Sequence, residues 1–209
     1  MARLACFDLD NTLIDRDAAF LAWALWWVEQ AGLGEEAVEW FVAHDNGGFM
    51  PRAELFARFR ERFGVAPSVD EYDREHPPFT WVDQAVLDGL SSLRTAGWRV
   101  AVVTNGNVVQ QTGKLEHTGI AKAVDYCCIS QAAGVRKPDR RIFEIAAERA
   151  GATLTDGWMV GDHPSYDIAG GKNAQLSTIR IGHKHPVDTP AADHHFASVL
   201  DAFPAILAS

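Results

Sequence analysis

Hydrophobic and polar positions divide the chain into two regimes. Leu4 to Leu9 is a short apolar run of the kind a strand buried on both faces carries, and it leads into Asp8, Asp10 and Thr12 at alternate positions. From about Arg16 to Ala31 apolar residues fall on nearly every face, which predicts a helix buried between layers or under a cover. Glu35 to His44 predicts a second helix and Asn46-Gly47-Gly48 a loop. Pro51 opens a third helix running to about Phe63, with Leu55, Phe56, Phe59 and Phe63 at helical spacing and Gly64 closing it. Ser68-Val69-Asp70-Glu71 has the form of a capping box and starts a short fourth helix toward His76, ended by Pro77-Pro78. With no good strand pattern between about Asp15 and Thr80, this stretch predicts a small helical module inserted into a different architecture.

That architecture resumes at about Asp83. A helix to Ala96, stopped by Gly97, leads into the strand Trp98 to Val103, which ends at Thr104-Asn105-Gly106. Val108 to His117 reads as helix, Tyr126 to Ser130 as strand, Val135-Arg136-Lys137-Pro138 as loop, and Arg140 to Ala150 as a helix capped by Asp139. A fourth strand, Trp158-Met159-Val160, ends in Gly161-Asp162; Asp167 to Asn173 is a short helix, Ser177 to Ile181 a fifth strand, and Ser198 to Leu207 a terminal helix. Strands alternating with helices of this length predict an α/β fold, a Rossmann-like three-layer core around a parallel sheet. The expected division is an α/β core from residues 1–14 and 83–209, interrupted by the helical module at 15–82.

Composition changes this picture little, and charge changes it more. The 209 residues suffice for one domain carrying an insertion. A net charge of -9 without a basic stripe argues against a nucleic-acid partner, and it requires any anionic substrate to find its positive potential locally. Cys6, Cys127 and Cys128 make an odd count without metal-knuckle spacing, which fits a reducing cytoplasm. No secretory leader is visible, and the most apolar window, Ala18 to Val28, is too short to span a bilayer, so the expectation is a cytoplasmic protein with no membrane partner, a monomer or homodimer.

The polar residues at the strand ends carry the chemistry. Asp8, Asp10 and Thr12 can converge on one volume, because residues two apart on an extended chain share a side. Two carboxylates about 4 Å apart cost on the order of 4 kcal/mol at an effective dielectric of about 20, so the cluster calls for a metal ion, a lysine or a shared proton. Thr104, Lys137 and Asp162 also lie at or just after strand ends, the edge where open parallel sheets bind ligands. Taken one at a time, Thr104-Asn105-Gly106 also reads as a simple turn, and Lys137 as a surface lysine.

The segments Asp8-Leu9-Asp10-Asn11-Thr12, Thr104-Asn105-Gly106, Lys137-Pro138 and Gly161-Asp162-His163-Pro164-Ser165-Tyr166-Asp167 resemble, in order and spacing, the four motifs of the haloacid dehalogenase-like superfamily. The resemblance implies phosphoryl transfer on a small phosphorylated metabolite, with the helical module acting as a cap. Asp8 then looks like the nucleophile that forms an aspartyl-phosphate, and Asp10 like the general acid and later base. Thr104 and the backbone N–H of Asn105 resemble the phosphate-holding pair, with Lys137 neutralising the phosphoryl oxygens and orienting Asp8. Mg²⁺ is the implied metal, bound by the Asp8 side chain, the Asp10 carbonyl and Asp162. Asp167 reads as a ligand through water, a support behind the metal, or an ordinary acid at a helix N-terminus. Thr12 reads as structural, fixing the turn after the strand.

Departures from the pattern narrow the choice. True haloacid dehalogenases lack the second aspartate of the first motif, so Asp10 favours phosphate over halide chemistry. Sugar-phosphate mutase relatives carry a histidine where Phe20 stands, and phosphonate-cleaving relatives need a cap lysine that residues 15 to 80 do not contain. A non-catalytic binding module of the same fold is the alternative from another class, disfavoured because every charged motif residue is present. Arg16, Phe20, His44, Asp45, Asn46 and Arg52 are candidate cap contacts, with Asn107 from the core; surface or packing duty competes for each. Trp23, Trp26 and Trp27 read as ligand-stacking or, preferably, as aromatic core, and His163 as substrate contact or loop support. His183, His185, His194 and His195 would be the ligands of any second metal, although their spacing matches no strong template.

Overall fold

The computed structural model describes residues 2–182 and 190–209. A six-stranded sheet forms its centre: β1 (Ala2–Phe7), β2 (Arg99–Thr104), β3 (Tyr126–Ile129), β4 (Ala152–Gly161), β5 (Ser177–Ile181) and β6 (His194–Phe196), in the order β3-β2-β1-β4-β5-β6. Every pairing is parallel. The helices are α1 (Arg16–Gln30), α2 (Glu35–His44), α3 (Arg52–Phe63), α4 (Val69–Glu75), α5 (Gln84–Thr95), α6 (Val108–His117), α7 (Ile120–Ala123), α8 (Ser130–Ala133), α9 (Arg140–Ala150), α10 (Ala169–Asn173) and α11 (Ala202–Leu207).

Alternation along the strands separates two apolar layers. Ala5, Phe7, Val100, Val102, Trp158 and Val160 face the side covered by α5 and α11, through Val86, Leu90 and Phe203. Leu4, Cys6, Ala101, Val103 and Met159 face the opposite side, covered by Ile142, Phe143 and Ala146 of α9. The sheet is therefore buried on both faces, which is why its strands read as apolar runs.

A third apolar cluster draws only on α1 to α4: Phe20, Trp23, Val28, Phe41, Leu55, Phe56, Phe59 and Tyr72 are all buried in it. Phe41 and Phe59 stack at 3.8 Å between centroids, and Trp23 meets Tyr72 edge-on at 4.6 Å. Trp23 and Trp27 thus belong to packing rather than to a ligand surface, and Trp26 lies against Phe79. The Arg16 and Arg52 guanidinium groups sit over the Phe20 ring, 4.8 and 5.0 Å from its centroid.

The elements follow the sequence pattern closely, down to the reciprocal Ser68–Glu71 capping box and the caps by Asp83, Asn107 and Asp139. Two differences are instructive. β6 is absent from the sequence reading because three residues, His194-His195-Phe196, have no period of their own; the strand exists through its ladder to Ile179, Arg180 and Ile181. The segment before α10 is a π-helical turn, Pro164–Ile168, instead of the first turn of a regular helix.

His76 ends α4 fully buried, and neither ring nitrogen has a hydrogen-bond partner among the described residues. Burial, reinforced by the nearby Lys114 charge, pushes its pKa well below the ordinary histidine value. The folded chain therefore binds fewer protons than the unfolded chain once pH falls below about 6.5, and stability declines from there at up to about 1.4 kcal/mol per pH unit. Urea midpoints at pH 7.5 and 5.0 should show a His76→Leu variant losing less stability than wild type over that interval, by up to about 2 kcal/mol. Parallel losses in the two proteins would contradict this.

Candidate active site

The first motif turns at the edge of the sheet by a device its sequence only partly announces. Asp8 extends the ladder by donating its N–H to the Val160 carbonyl at 2.8 Å, and the Leu9 carbonyl then accepts from Thr12, Leu13 and Ile14. Asn11 adopts a left-handed conformation (φ 58°), its side-chain oxygen accepting the Arg16 N–H. Asn11 and the Leu9 carbonyl, not the Thr12 hydroxyl, therefore hold this turn; Thr12 Oγ1 is buried without a hydrogen-bond partner among the described residues.

Asp8, Asp162 and Asp167 arrive from three segments, and one oxygen from each falls within 4.8 Å of the others. Lys137 stands behind them, 2% exposed, its Nζ 2.6 Å from Asp8 Oδ1 and 2.7 Å from Asp167 Oδ1. Burial works against the ammonium, but Asp167 and Asp8 together hold its pKa above the ordinary lysine value. The carboxylates respond the other way. Burial pushes Asp162 up to about 8, with Asp8 and Asp167 adding to it. Burial likewise pushes Asp8 up to about 7, against the opposing pull of Lys137.

Neighbouring backbone keeps this cluster tight. Asp167 is wholly buried and accepts the His163 N–H at 2.9 Å. A Cβ at position 161 would lie 2.3 Å from its Cγ, so only glycine lets strand β4 pass so close to the carboxylate. The Asn105 side chain grips the Lys137 backbone, accepting its N–H at 2.9 Å and donating to its carbonyl at 3.1 Å. Asn105 thus has a positioning task that its neighbours in sequence did not reveal.

Asp10 lies across the cleft, and its carboxylate is not part of the acidic trio. Lys114 Nζ donates to both its oxygens, at 2.9 and 3.0 Å. Gln111 Nε2 donates to Asp10 Oδ2 at 3.1 Å and to Thr104 Oγ1 at 2.7 Å. Burial acts to raise the Asp10 pKa, but the Lys114 ammonium holds it below the usual carboxylate range. The Asp10 carboxylate is thus engaged by Lys114 and Gln111 and stands outside the group of acids that could hold a metal. Lys114 and Gln111 are absent from the sequence reading; spaced three apart on α6, they share the helix face that looks at the cleft.

Asp8, Asp10, Thr104, Asn105, Lys137, Asp162 and Asp167 all border one cavity of about 310 Å³. Arg16, Arg52, Asn107 and His163 line it too, together with Gly48, Phe49 and Tyr166. Asp45 lies just behind, joined to Arg16 by two hydrogen bonds, one of them 2.7 Å, and to Arg52 at 2.6 Å. Phe20, His44 and Asn46 do not border the cavity: Phe20 is buried in the helical cluster, and His44 stacks on Trp40 at 3.9 Å. His163 supports its loop, with its ring against Tyr166 and Phe49 and its Nδ1 accepting the Ser165 and Tyr166 N–H groups, and it also lines the cavity.

His183 and His185 lie outside the described residues. His194 packs against Trp158 and Phe196, while His195 Nε2 is 2.5 Å from the Gly182 carbonyl oxygen. Among the described residues no histidine joins a metal-holding group.

The acidic trio suits a metal on the chemistry of its donors. When all three carboxylates are ionised, they and the one ammonium leave two negative charges, which one divalent cation would balance, and their oxygen donors suit a hard cation. No helix among the described residues is long and apolar enough to cross a membrane.

With this geometry in hand, the chain belongs to the haloacid dehalogenase-like hydrolase family, whose model matches residues 5–181. It is 39% identical over 103 residues to the pyrimidine 5'-nucleotidase YjjG of Escherichia coli, a match covering 47% of this chain and 46% of that protein. The chain thus spans a little under half the length of that relative. With the phosphoglycolate phosphatase of Agrobacterium fabrum it shares 26% identity over 220 residues, covering 99% of this chain and 91% of that one. In fold it is similar to the putative hydrolase YfnB of Bacillus subtilis bound to magnesium, with a TM-score of 0.78, 21% identity and 98% of each chain covered.

Proposed function

We propose that this protein is a Mg²⁺-dependent phosphatase that hydrolyses a small phosphorylated metabolite through an aspartyl-phosphate on Asp8. The observation that carries this reading is Lys137, bonded at once to Asp8 and Asp167 beside Asp162, with Asp10 facing them across the cavity. In this reading Asp8 attacks phosphorus, and Asp10 gives a proton to the departing oxygen. Asp10 then takes a proton from the water that hydrolyses the aspartyl-phosphate. Lys137 and Thr104 hold phosphoryl oxygens, and Asn105 sets Lys137 in place while offering its backbone N–H.

Asp8, Asp162 and the Asp10 carbonyl would hold the Mg²⁺, with Asp167 as direct ligand or support. Bound there, the metal would neutralise phosphoryl charge. Residues 15–82 form the cap in this reading, placing Arg16, Arg52 and Phe49 over the leaving group. Relatives named as a pyrimidine 5'-nucleotidase and as a phosphoglycolate phosphatase both support the class, small phosphomonoesters. Retention of Asp10 speaks for phosphate over halide chemistry.

A panel of phosphorylated metabolites, including phosphoglycolate, sugar phosphates and nucleoside monophosphates, tests the proposal. Release of inorganic phosphate from at least one member with Mg²⁺, abolished by EDTA and restored by excess Mg²⁺, is the expected result. No release from any member under any divalent metal would overturn it.

A further inference from the structure

The Asp10 carboxylate is oriented by another part of the chain, 104 residues away. Lys114 is 2% exposed and Gln111 1% exposed, and both project from α6 toward the first motif. A buried lysine is tolerated only when its charge is paired and hydrogen-bonded, and Lys114 meets both oxygens of Asp10 at nearly equal distance. Gln111 ties the same carboxylate to the Thr104 hydroxyl, so Asp10 and a phosphate-holding group share one clamp.

The clamp is built into its surroundings. Gly106 makes room for it, since a Cβ there would lie 2.7 Å from Gln111 Cγ. Helix α6 is fixed at its start by Asn107, which caps the Gln110 N–H at 2.8 Å, and by Gln131, which accepts the Val108 N–H at 2.7 Å. Nothing in the Asp10 turn itself holds that side chain among the bonds described; α6 does.

We propose that Lys114, assisted by Gln111, is a positioning residue that fixes the Asp10 carboxyl group where it can reach the oxygen leaving phosphorus. This rests on the phosphatase reading above. When Asp8 attacks, the phosphorus–oxygen bond to the leaving group breaks, its electron pair goes to that oxygen, and a proton that enters on the phosphate monoanion is handed to it by Asp10, which Lys114 keeps ionised in the free protein. Esters of poorly stabilised alkoxides need that proton; 4-nitrophenolate leaves without it. A clamp that only supports the fold would serve both substrates equally.

The test compares wild type, Lys114→Met and Gln111→Leu with Mg²⁺ on 4-nitrophenyl phosphate and on the alkyl phosphate that wild type hydrolyses fastest. Lys114→Met should lower kcat/KM on the alkyl ester by about 10²–10³-fold while changing it less than about 10-fold on the aryl ester. On the aryl ester kcat and KM should fall together, because formation of the aspartyl-phosphate is spared while its hydrolysis still needs Asp10. Gln111→Leu should repeat the pattern at about 10-fold, which keeps the test decisive if Lys114→Met does not fold. Equal losses of kcat/KM on both esters, or none, would overturn the positioning role. An inactive wild type would instead remove the phosphatase reading itself, and this inference with it.

Discussion

Asp8→Asn is expected to abolish turnover, by about 10⁴-fold or more, without unfolding the protein. An amide lacks the anionic oxygen with which Asp8, in the proposed reaction, attacks phosphorus. Stability should respond in the opposite sense. Burial pushes the Asp8 carboxyl up to about 7, so above that pH the fold holds a charge it disfavours. A raised carboxyl pKa means that the folded chain binds more protons than the unfolded one between about 3.8 and 7, and that stability falls as pH rises through this window.

Asparagine removes this cost, while Lys137 keeps Asp167 at 2.7 Å. In EDTA at pH 8 the variant should melt at or above the wild-type temperature, and its melting point should fall less than that of wild type between pH 5 and 8. A folded variant with residual activity above about one hundredth of wild type would remove Asp8 from the nucleophile's place.

The parts of this site that the sequence revealed are those tied to strand ends. Asp8, Thr104 and Asp162 follow apolar runs, and the edge of a parallel sheet brings such residues together whatever lies between them. The contacts that orient them were hidden. Lys114 and Gln111 sit on a helix whose other residues look like ordinary amphipathic packing, and only the three-dimensional approach of α6 to Asp10 distinguishes them. From sequence Asn105 reads as a backbone N–H donor or as part of a simple turn, and its side chain's grip on Lys137 across 32 residues has no local signature.

The helical module was legible as helices from spacing and caps. Its aromatic residues could not be sorted between packing and ligand until Trp23 and Phe20 were seen inside a shared cluster. Arg16, Asp45 and Arg52 were candidates from sequence, but their pairing was not foreseeable: one carboxylate holds both guanidinium groups at the cavity wall.

Lys137→Met should cost both activity and stability, which separates its role from that of Asp8. The ammonium is the cation bonded to Asp8 and Asp167, and it is buried. Without it, three carboxylates with oxygens within 4.8 Å remain, and each such pair repels by about 3.5 kcal/mol at an effective dielectric of about 20. Removing one partner from a buried ion pair typically costs about 3–5 kcal/mol, which for a chain of this length corresponds to a fall in Tm of about 6–20 °C. Turnover should drop by about 10³-fold, since the positive group that the proposed reaction sets against the phosphoryl oxygens is lost.

The double variant Lys137→Met with Asp8→Asn distinguishes repulsion from simple loss of packing. Removing one of the three carboxylates should return part of the lost melting temperature while leaving turnover absent, so the two substitutions couple strongly in a double-mutant cycle. Melting curves of the four proteins in EDTA at pH 8 measure that coupling. If the double variant melts at the sum of the two separate shifts, the carboxylates do not repel through the vacated lysine site, and the charge balance assigned to Lys137 is wrong.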